Sequence, residues 1–478
     1  MRKLLLVLLL IISVTLLMSA KKLEVFLQAH YDPTQYPETS KMVEDIAKEY
    51  MKMHPDVEIE LIPAEAGGAG AGGAETTYRA WLTARMGAGN PPHIAWEHFY
   101  MRWSEKGWWV ALDDYLDKPN PYYPGKTWRE CIYDFVWNNV VAPDGHYYTV
   151  ALDWVETGFY YNKDIFDKLG LSPHWNTWEE FLETLKKIKK AGYIPLVASE
   201  WAFFQWADDI LMTAFWADKV PEMYMEEKYK YEQYYKGKPW RMLTAEEIAR
   251  AIYKEIYSAY DERFEAFLKA MKEWSQYWVP GFSTLSSEEA LSIFLSGRAA
   301  LLWDGSWARP DIANSAGFKW GITYLPPITV AKKYLPKELQ DVSFRVGGPS
   351  SAAQYGITVR AQKEDLVKEA VDFLMYLSTP DTLGKVIAAE GRFVPMIVGT
   401  KVSEDVKFFA ENVASLPTRA FTDPAGRLTP EAGEKYKKVM QEYLLGQIDI
   451  KTAQEKFQQI FEEALKDLAQ ENKYDWYK

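Results

Sequence analysis

From Lys21 onward the chain alternates strand and helix. The stretch "KKLEVFLQAH" reads as a strand whose outer end is His30, and residues 40–50 as a helix with Met42, Val43, Ile46 and Ala47 on one face. His54-Pro55 breaks that helix, "VEIELIP" is the next strand, residues 75–86 the next helix and "HIAW" a third strand. Strands delivered in turn by helices predict an α/β domain on a mostly parallel sheet. Within this run, residues 68–73 satisfy G-x-G-x-x-G and Glu97 follows 24 residues after Gly73. Together these spell most of a dinucleotide-binding fingerprint. The context fails it. In that fold the first glycine ends the strand, so that the helix N-terminus meets the pyrophosphate. Here residues 63–66 intervene, and the run 67–73 holds five glycines among alanines, a connection built of small side chains.

Other catalytic and cofactor patterns fail in the same way. Gly125-Lys126-Thr127 is the tail of a P-loop, but Asn120 stands where its first glycine belongs and Pro124 stiffens the loop. His93, Glu97 and His98 fit neither zinc-protease spacing, and one strand cannot aim all three at one ion. The chain has six histidines, scattered along it, and contains no G-x-S-x-G. Asp153 and Glu156 flank Trp154 near a chain bend. They suit a glycosidase acid and base, or hydrogen-bond acceptors for sugar hydroxyls. The residues leave both open and favour binding.

The length of 478 residues implies two or three domains. A net charge of −12 argues against a nucleic-acid footprint. "MRKLLLVLLLIISVTLLMSAKK" has a basic start, an apolar run from Leu4 to Met18, and small residues at Ser19 and Ala20. That is signal-peptide anatomy, with cleavage expected near Ala20 and residues 1–20 removed. The remaining chain would carry 53 basic and 67 acidic side chains, net −14. The single cysteine, Cys131, allows no intrachain disulfide and no cysteine-based metal site, and no cysteine follows the apolar run to carry a lipid. A secreted, periplasmic or cell-surface location is expected, where nicotinamide cofactors are scarce. Twenty Trp and 31 Tyr exceed what cores of this size need. Many stand in polar, turn-like settings such as "EWAFFQWADD" and "WDGSWARP", which suggests faces for stacking on sugar rings.

Further along, Thr177 and Glu180 form the signature of a capping box before a helix to Lys190, with Trp178, Phe181, Leu182, Leu185 and Ile188 on its apolar face. Residues 219–278 read as a charged, Tyr-rich helical elaboration, and the C-terminus as two helices, the first starting at Pro430 and stopping at Gly446.

Several segments, in order, resemble one family. "GAGNPPHIAWEHFYMRWSEKGWWVALDDYLD" is followed by D-G-x-x-Y, Y-Y-N-K-D-x-F and T-W-x-E-F within residues 144–181. "EEALSIFLSGRAALLWDGSWARPDI" and "VGGPSSAAQYGITVRAQKEDLVKEAVDFLMYLSTPD" come next. The chain resembles the extracellular solute-binding proteins of ABC importers, in the sugar-binding group that includes maltose-binding protein, over roughly residues 21–470. The resemblance implies an α/β, two-lobe periplasmic-binding-protein fold of type II kind, each lobe a mixed, mostly parallel sheet flanked by helices, the lobes joined by hinge crossovers. Lobe one is expected at 21–152 and 326–378, lobe two at 156–322 and 385–478. The crossovers are expected at 152–156, 322–327 and 378–385.

The ligand contacts that the resemblance implies are headed by Trp307 of "DGSWA". With it come Trp96, Glu97 and His98 after the third strand, Asp153, Trp154 and Glu156 at the first crossover, and Trp201 and Trp206 of "SEWAFFQW". His30 and Asp32 follow the first strand, Glu75 and Thr76 follow the glycine run, Gly347 and Gly348 would let backbone approach ligand, and Arg392 and Phe393 fill a matching loop. Tyr160 and Tyr161 read as scaffold. The implied function is non-enzymatic: an exported carbohydrate-binding protein, its ligand an oligosaccharide, that closes on the ligand and delivers it to the permease subunits of an ABC importer. No cofactor, metal or nucleic acid is expected, and a monomer is. The alternatives are the same fold serving a peptide, polyamine or metal, and a glycoside hydrolase using Asp153 and Glu156.

Overall fold

The computed structural model describes residues 20–64, 74–97, 107–142, 145–225, 242–347 and 354–478. The signal-like residues 1–19, the glycine run, His98, Gly348 and residues 226–241 of the helical elaboration lie outside the described residues. In chain order the strands are β1 (Lys21–Phe26), β2 (Val57–Ile62), β3 (Ile94–Trp96), β4 (Thr149–Ala151), β5 (Asp153–Trp154), β6 (Thr157–Asn162), β7 (Ile194–Val197), β8 (Ala299–Gly305), β9 (Trp320–Thr323), β10 (Gln354–Ile357) and β11 (Val394–Pro395). The chain folds as two units. Unit 1 takes the described residues through Trp154 and those between Pro349 and Val402; unit 2 takes those between Val155 and Gly348 and those from Ser403 on.

In unit 1 the sheet order is β2-β1-β3-β10-β4. β1 pairs parallel with β2, Leu23 opposite Ile59, and with β3, Val25 opposite Ile94. The helix that delivers β2 runs Pro37–Met53 and begins three residues before its predicted start, with Pro37 at a position that needs no N–H. Val43, Ile46, Ala47 and Tyr50 form its buried face, while Met42 is only half-buried. β10 pairs antiparallel with β3 and β4. A two-stranded ribbon joins β5 to β11, Asp153 opposite Pro395.

In unit 2 the order is β7-β8-β6-β9, with β7 parallel to β8 and β6 antiparallel to both neighbours. Both sheets are mixed, as the resemblance implies, but neither is mostly parallel as expected. Parallel pairing is confined to β1, β2 and β3 in one unit and to β7 and β8 in the other. Within these two sheets the antiparallel pairs all involve β6 or β10, which begin shortly after the chain passes from one unit to the other. Such strands are not delivered by a helical crossover, so nothing constrains them to run parallel.

The chain passes between units after Trp154, inside the expected crossover 152–156, but its second and third passages come after residues 348 and 402 rather than at 322–327 and 378–385. Residues 324–347 fold in unit 2, where Tyr324 Oη meets Glu156 and Arg345 N bonds Pro417 O. Residues 385–402 fold in unit 1, because β11 is the partner of β5. The expected capping box at Thr177 is half formed. Thr177 accepts the Glu180 N–H, but the Glu180 carboxylate reaches the Asn176 N–H rather than that of Thr177. The helix behind it, Trp178–Lys190, buries the predicted face. The C-terminal helices run Pro430–Leu444 and Ile450–Asn472, and Gly446 closes the first at φ +74°. Among the described residues no helix is long and apolar enough to cross a membrane.

Candidate functional site

Unit 2 assembles tryptophans at the end of β8. The strand is buried throughout and runs directly into the turn Ser306–Ala308, which presents Trp307 half-buried. Three neighbours fix that ring. A Cβ on Gly305 would lie 2.2 Å from it, so the ring lies over backbone that only glycine leaves open. The Tyr160 hydroxyl donates to Gly305 O at 2.9 Å and holds the turn. The carboxylate of Asp304 accepts from the Trp307 side chain and, at 2.7 Å, from the Gly305 N–H. Burial raises the Asp304 pKa to about 7 against the pull of those two donors.

Trp206 lies 6.0 Å from Trp307 and 5.5 Å from Trp303, and Trp201 lies 4.3 Å from Trp206. The last pair depends on a π turn, Ala202–Trp206, closed by the Ala207 N–H on Ala202 O. Pairing five residues apart brings Trp201 and Trp206 to one side, and such turns recur at functional sites. The set is graded from core to surface: Trp303 is 1% exposed, Trp206 5% and Trp201 39%. Tyr161, like Tyr160, is scaffold, its ring filling the space a Cβ on Gly321 would take.

Glu156 is fully buried in the same unit. Its Oε1 accepts from Thr157 N at 2.8 Å, Gly347 N at 2.9 Å and Tyr324 Oη at 3.1 Å. Burial raises its pKa, while Arg345, whose Nε lies 4.0 Å from Oε2, and the two backbone N–H groups oppose the shift. Arg345 itself is held by Val413 O and the Thr418 hydroxyl. A Cβ on Gly347 would sit 2.2 Å from Val155 O, so this glycine permits the approach of two chain segments within the unit rather than of a ligand.

Unit 1 gathers its polar residues around His30. The ring is fully buried, with Nε2 3.0 Å from Asp153 Oδ2 and Nδ1 2.9 Å from Glu390 Oε2. Arg392 Nη2 stands 3.2 Å from the same Glu390 oxygen. Its guanidinium lies 3.7 Å over the Tyr36 ring, and Phe393 meets the His30 ring edge-on at 5.7 Å. Burial opposes the imidazolium charge. The charge of Glu390 and the hydrogen bonds to Asp153 and Glu390 outweigh it and raise the His30 pKa to about 9. His30 is therefore an imidazolium at neutral pH, with both N–H groups donating.

The predicted residues thus fall into three groups. His30, Asp153, Arg392 and Phe393 converge in unit 1, and Trp201, Trp206 and Trp307 in unit 2. Others serve the fold. Asp32 accepts the Gln35 N–H and binds Ser40 Oγ through its own N–H, which shapes the entry to the first helix. Trp154 is buried against Phe135 at 5.5 Å. Trp96 packs on Tyr78, whose hydroxyl donates to its carbonyl, and Glu97 is buried 3.5 Å from Arg79 Nη2. The third group is His98 and Gly348, outside the described residues, with Glu75 and Thr76, whose helix is described but not their side chains. The sequence reading missed Glu390, Tyr36, Asp304 and Gly305. Asp304 and Gly305 carried a signal in the "DGSW" spelling itself; Glu390 closes an ordinary helix, Lys385–Glu390, and carried none. Asp153 and Glu156 are each engaged by internal partners in different units. Among the described residues no group of three or more His, Cys, Asp or Glu could hold a metal ion.

Residues 34–382 match the family model described as bacterial extracellular solute-binding protein. An uncharacterized ABC transporter extracellular-binding protein of Pyrococcus horikoshii is 23% identical over 292 residues, 58% of this chain and 55% of that protein. The match thus spans about half the length of that relative. A chitin oligosaccharide binding protein superposes with a TM-score of 0.64 at 20% identity, over 94% of this chain and all of that one. A family 1 extracellular solute-binding protein from Bifidobacterium longum subsp. infantis gives 0.62 at 18%, over 93% and 100%. The binding protein RafE in complex with raffinose gives 0.59 at 19%, over 93% and 99%. At these identities the likeness shows a common fold.

Proposed function

Since the chain belongs to the bacterial extracellular solute-binding proteins, we propose that it binds an oligosaccharide outside the cytoplasm and delivers it to the permease subunits of an ABC importer. The observation that carries the reading is the held Trp307. Asp304, Gly305 and Tyr160 spend their contacts on orienting one half-exposed indole. Trp201 and Trp206 beside it extend the aromatic surface. Sugar rings offer apolar faces to such indoles, whose rigid planes lose little entropy on binding. The named ligands of two structural relatives, chitin oligosaccharide and raffinose, support the same class. Binding is without turnover, a reading supported by Asp153 and Glu156 being buried, each with one oxygen held by internal partners. Export follows cleavage near Ala20, and the protein acts as a monomer.

The test is a thermal-shift and calorimetric screen of the mature chain over mono- and oligosaccharides, peptides and polyamines. An oligosaccharide is expected to stabilise it and to be recovered uncut after prolonged incubation. Stabilisation by a peptide or polyamine alone would replace the carbohydrate reading, and cleaved sugar would replace binding by hydrolysis.

A further inference from the structure

Trp206 is the hub of the tryptophans in unit 2. Its ring meets Trp303 at 5.5 Å, Trp307 at 6.0 Å and Trp201 at 4.3 Å. Trp303 and Trp206 are buried, whereas Trp307 is half-buried and Trp201 is 39% exposed. Among the described residues no ring contact joins Trp201 to Trp307. The two open indoles are therefore separate platforms that share one buried neighbour, and they stand no further apart than the two steps through Trp206. Trp201 is fixed as well as open. Its Nε1–H donates to Ser287 Oγ at 3.3 Å, at the start of the helix Ser287–Leu295, and its ring meets Trp206 edge-on at 71°. The backbone behind it is the π turn Ala202–Trp206. In an α-helix, with about 3.6 residues per turn, residues five apart point to different sides. The wider turn brings 201 and 206 together and leaves Trp201 with apolar surface in water that a stacked ring would cover.

Resting on the carbohydrate reading above, we propose that Trp201 is an outer subsite, distinct from Trp307, that takes a sugar unit further along the same chain and so selects for longer oligosaccharides. Trp307 takes a unit that every ligand presents. Trp201 is reached only by a chain long enough to pass Trp206. Each stacked ring buries its own apolar area, so affinity climbs with chain length until Trp201 is covered and then levels off. Ser287 and Trp206 hold the Trp201 ring beforehand, so little side-chain freedom is lost when the sugar arrives.

The experiment is calorimetry on the mature protein with length ladders of chito-, malto-, xylo- and raffinose-type oligosaccharides. For the ladder that binds, affinity is expected to rise at least tenfold from the shortest probe to the plateau. In Trp201→Ala the ratio of longest-probe to shortest-probe affinity is expected to shrink tenfold or more, whereas Trp307→Ala lowers the affinity of short and long probes alike. If Trp201 only supports Trp206, its loss would weaken all lengths together and leave the ratio as it was; that outcome would overturn the proposal. So would a shortest probe bound as tightly as the longest by the unaltered protein, a result that needs no variant to fold. Absence of binding to every ladder would overturn the carbohydrate reading itself, which keeps the two failures apart.

Discussion

The His30 cluster of unit 1 and the Trp307 cluster of unit 2 are held by opposite means. Around His30 four charged side chains from three chain segments neutralise one another, two positive against two negative, where water is excluded. Around Trp307 the rings pack on one another, and a single carboxylate, raised toward its protonated form, steadies the outermost indole. The contrast teaches where each cluster is fragile. An ionic cluster fails when one member is removed, because the partner charge stays buried. A stacked cluster fails when its spacing is disturbed, since rings tolerate lost charge but not a misplaced atom.

The largest effect should come from His30→Ala. It strands Asp153, leaves Glu390 only Arg392, and is expected to cost about 3–5 kcal/mol of stability, read by urea denaturation. A loss below 1 kcal/mol would mean that the cluster is not a closed ionic unit. Gly305→Ala comes next, at about 1–3 kcal/mol, because its Cβ must displace the Trp307 ring from 2.2 Å. Ligand affinity should fall with it; unchanged affinity and stability would show that the ring is not held there. Trp307→Ala should weaken oligosaccharide binding by more than tenfold, about 1.4 kcal/mol, with little change in stability. Calorimetry on the two proteins side by side decides it, and equal affinities would remove Trp307 from the site.

The smallest effect per step is the dependence on pH, at most about 1.4 kcal/mol per pH unit for each group. The folded pKa of His30 is raised from 6.5 to about 9, so the folded state holds the proton more tightly than the unfolded one. Its contribution is complete below pH 6.5 and is lost as pH rises through about 9. Asp304 is raised from 3.8 to about 7, so its burial removes stability as pH rises between those values. Melting followed from pH 4 to 10 should therefore fall in two windows. His30→Ala should abolish the upper window, and Asp304→Asn should shrink the lower, which Asp209, raised by burial from 3.8 to about 7, shares; a lower window untouched by Asp304→Asn would break the comparison.

Sequence legibility followed the range of the interaction concerned. The faces of Pro37–Met53 and Trp178–Lys190 could be read because each depends on residues three and four apart. The dinucleotide pattern could be dismissed because its geometry is local. "DGSW" announced a turn with an aromatic at its tip, and the structure explains its spelling through Asp304 and Gly305. The capping box was half right because Glu180 had a second backbone N–H, that of Asn176, within reach.

By itself, then, the sequence determined the α/β alternation, the helix faces and ends, the family and the aromatic turn, all of which rest on short-range periodicity, steric rules or motif order. Only the tertiary structure decided that His30 shares a site with Glu390, 360 residues away, and that Asp153 holds the opposite face of the same ring from 123 residues away. It also decided that β6 and β10 run antiparallel to their neighbours. The physical reason is the same in each case. Which distant segments share a sheet or a buried charge is set by how whole strands are threaded, and no neighbour along the chain carries that information.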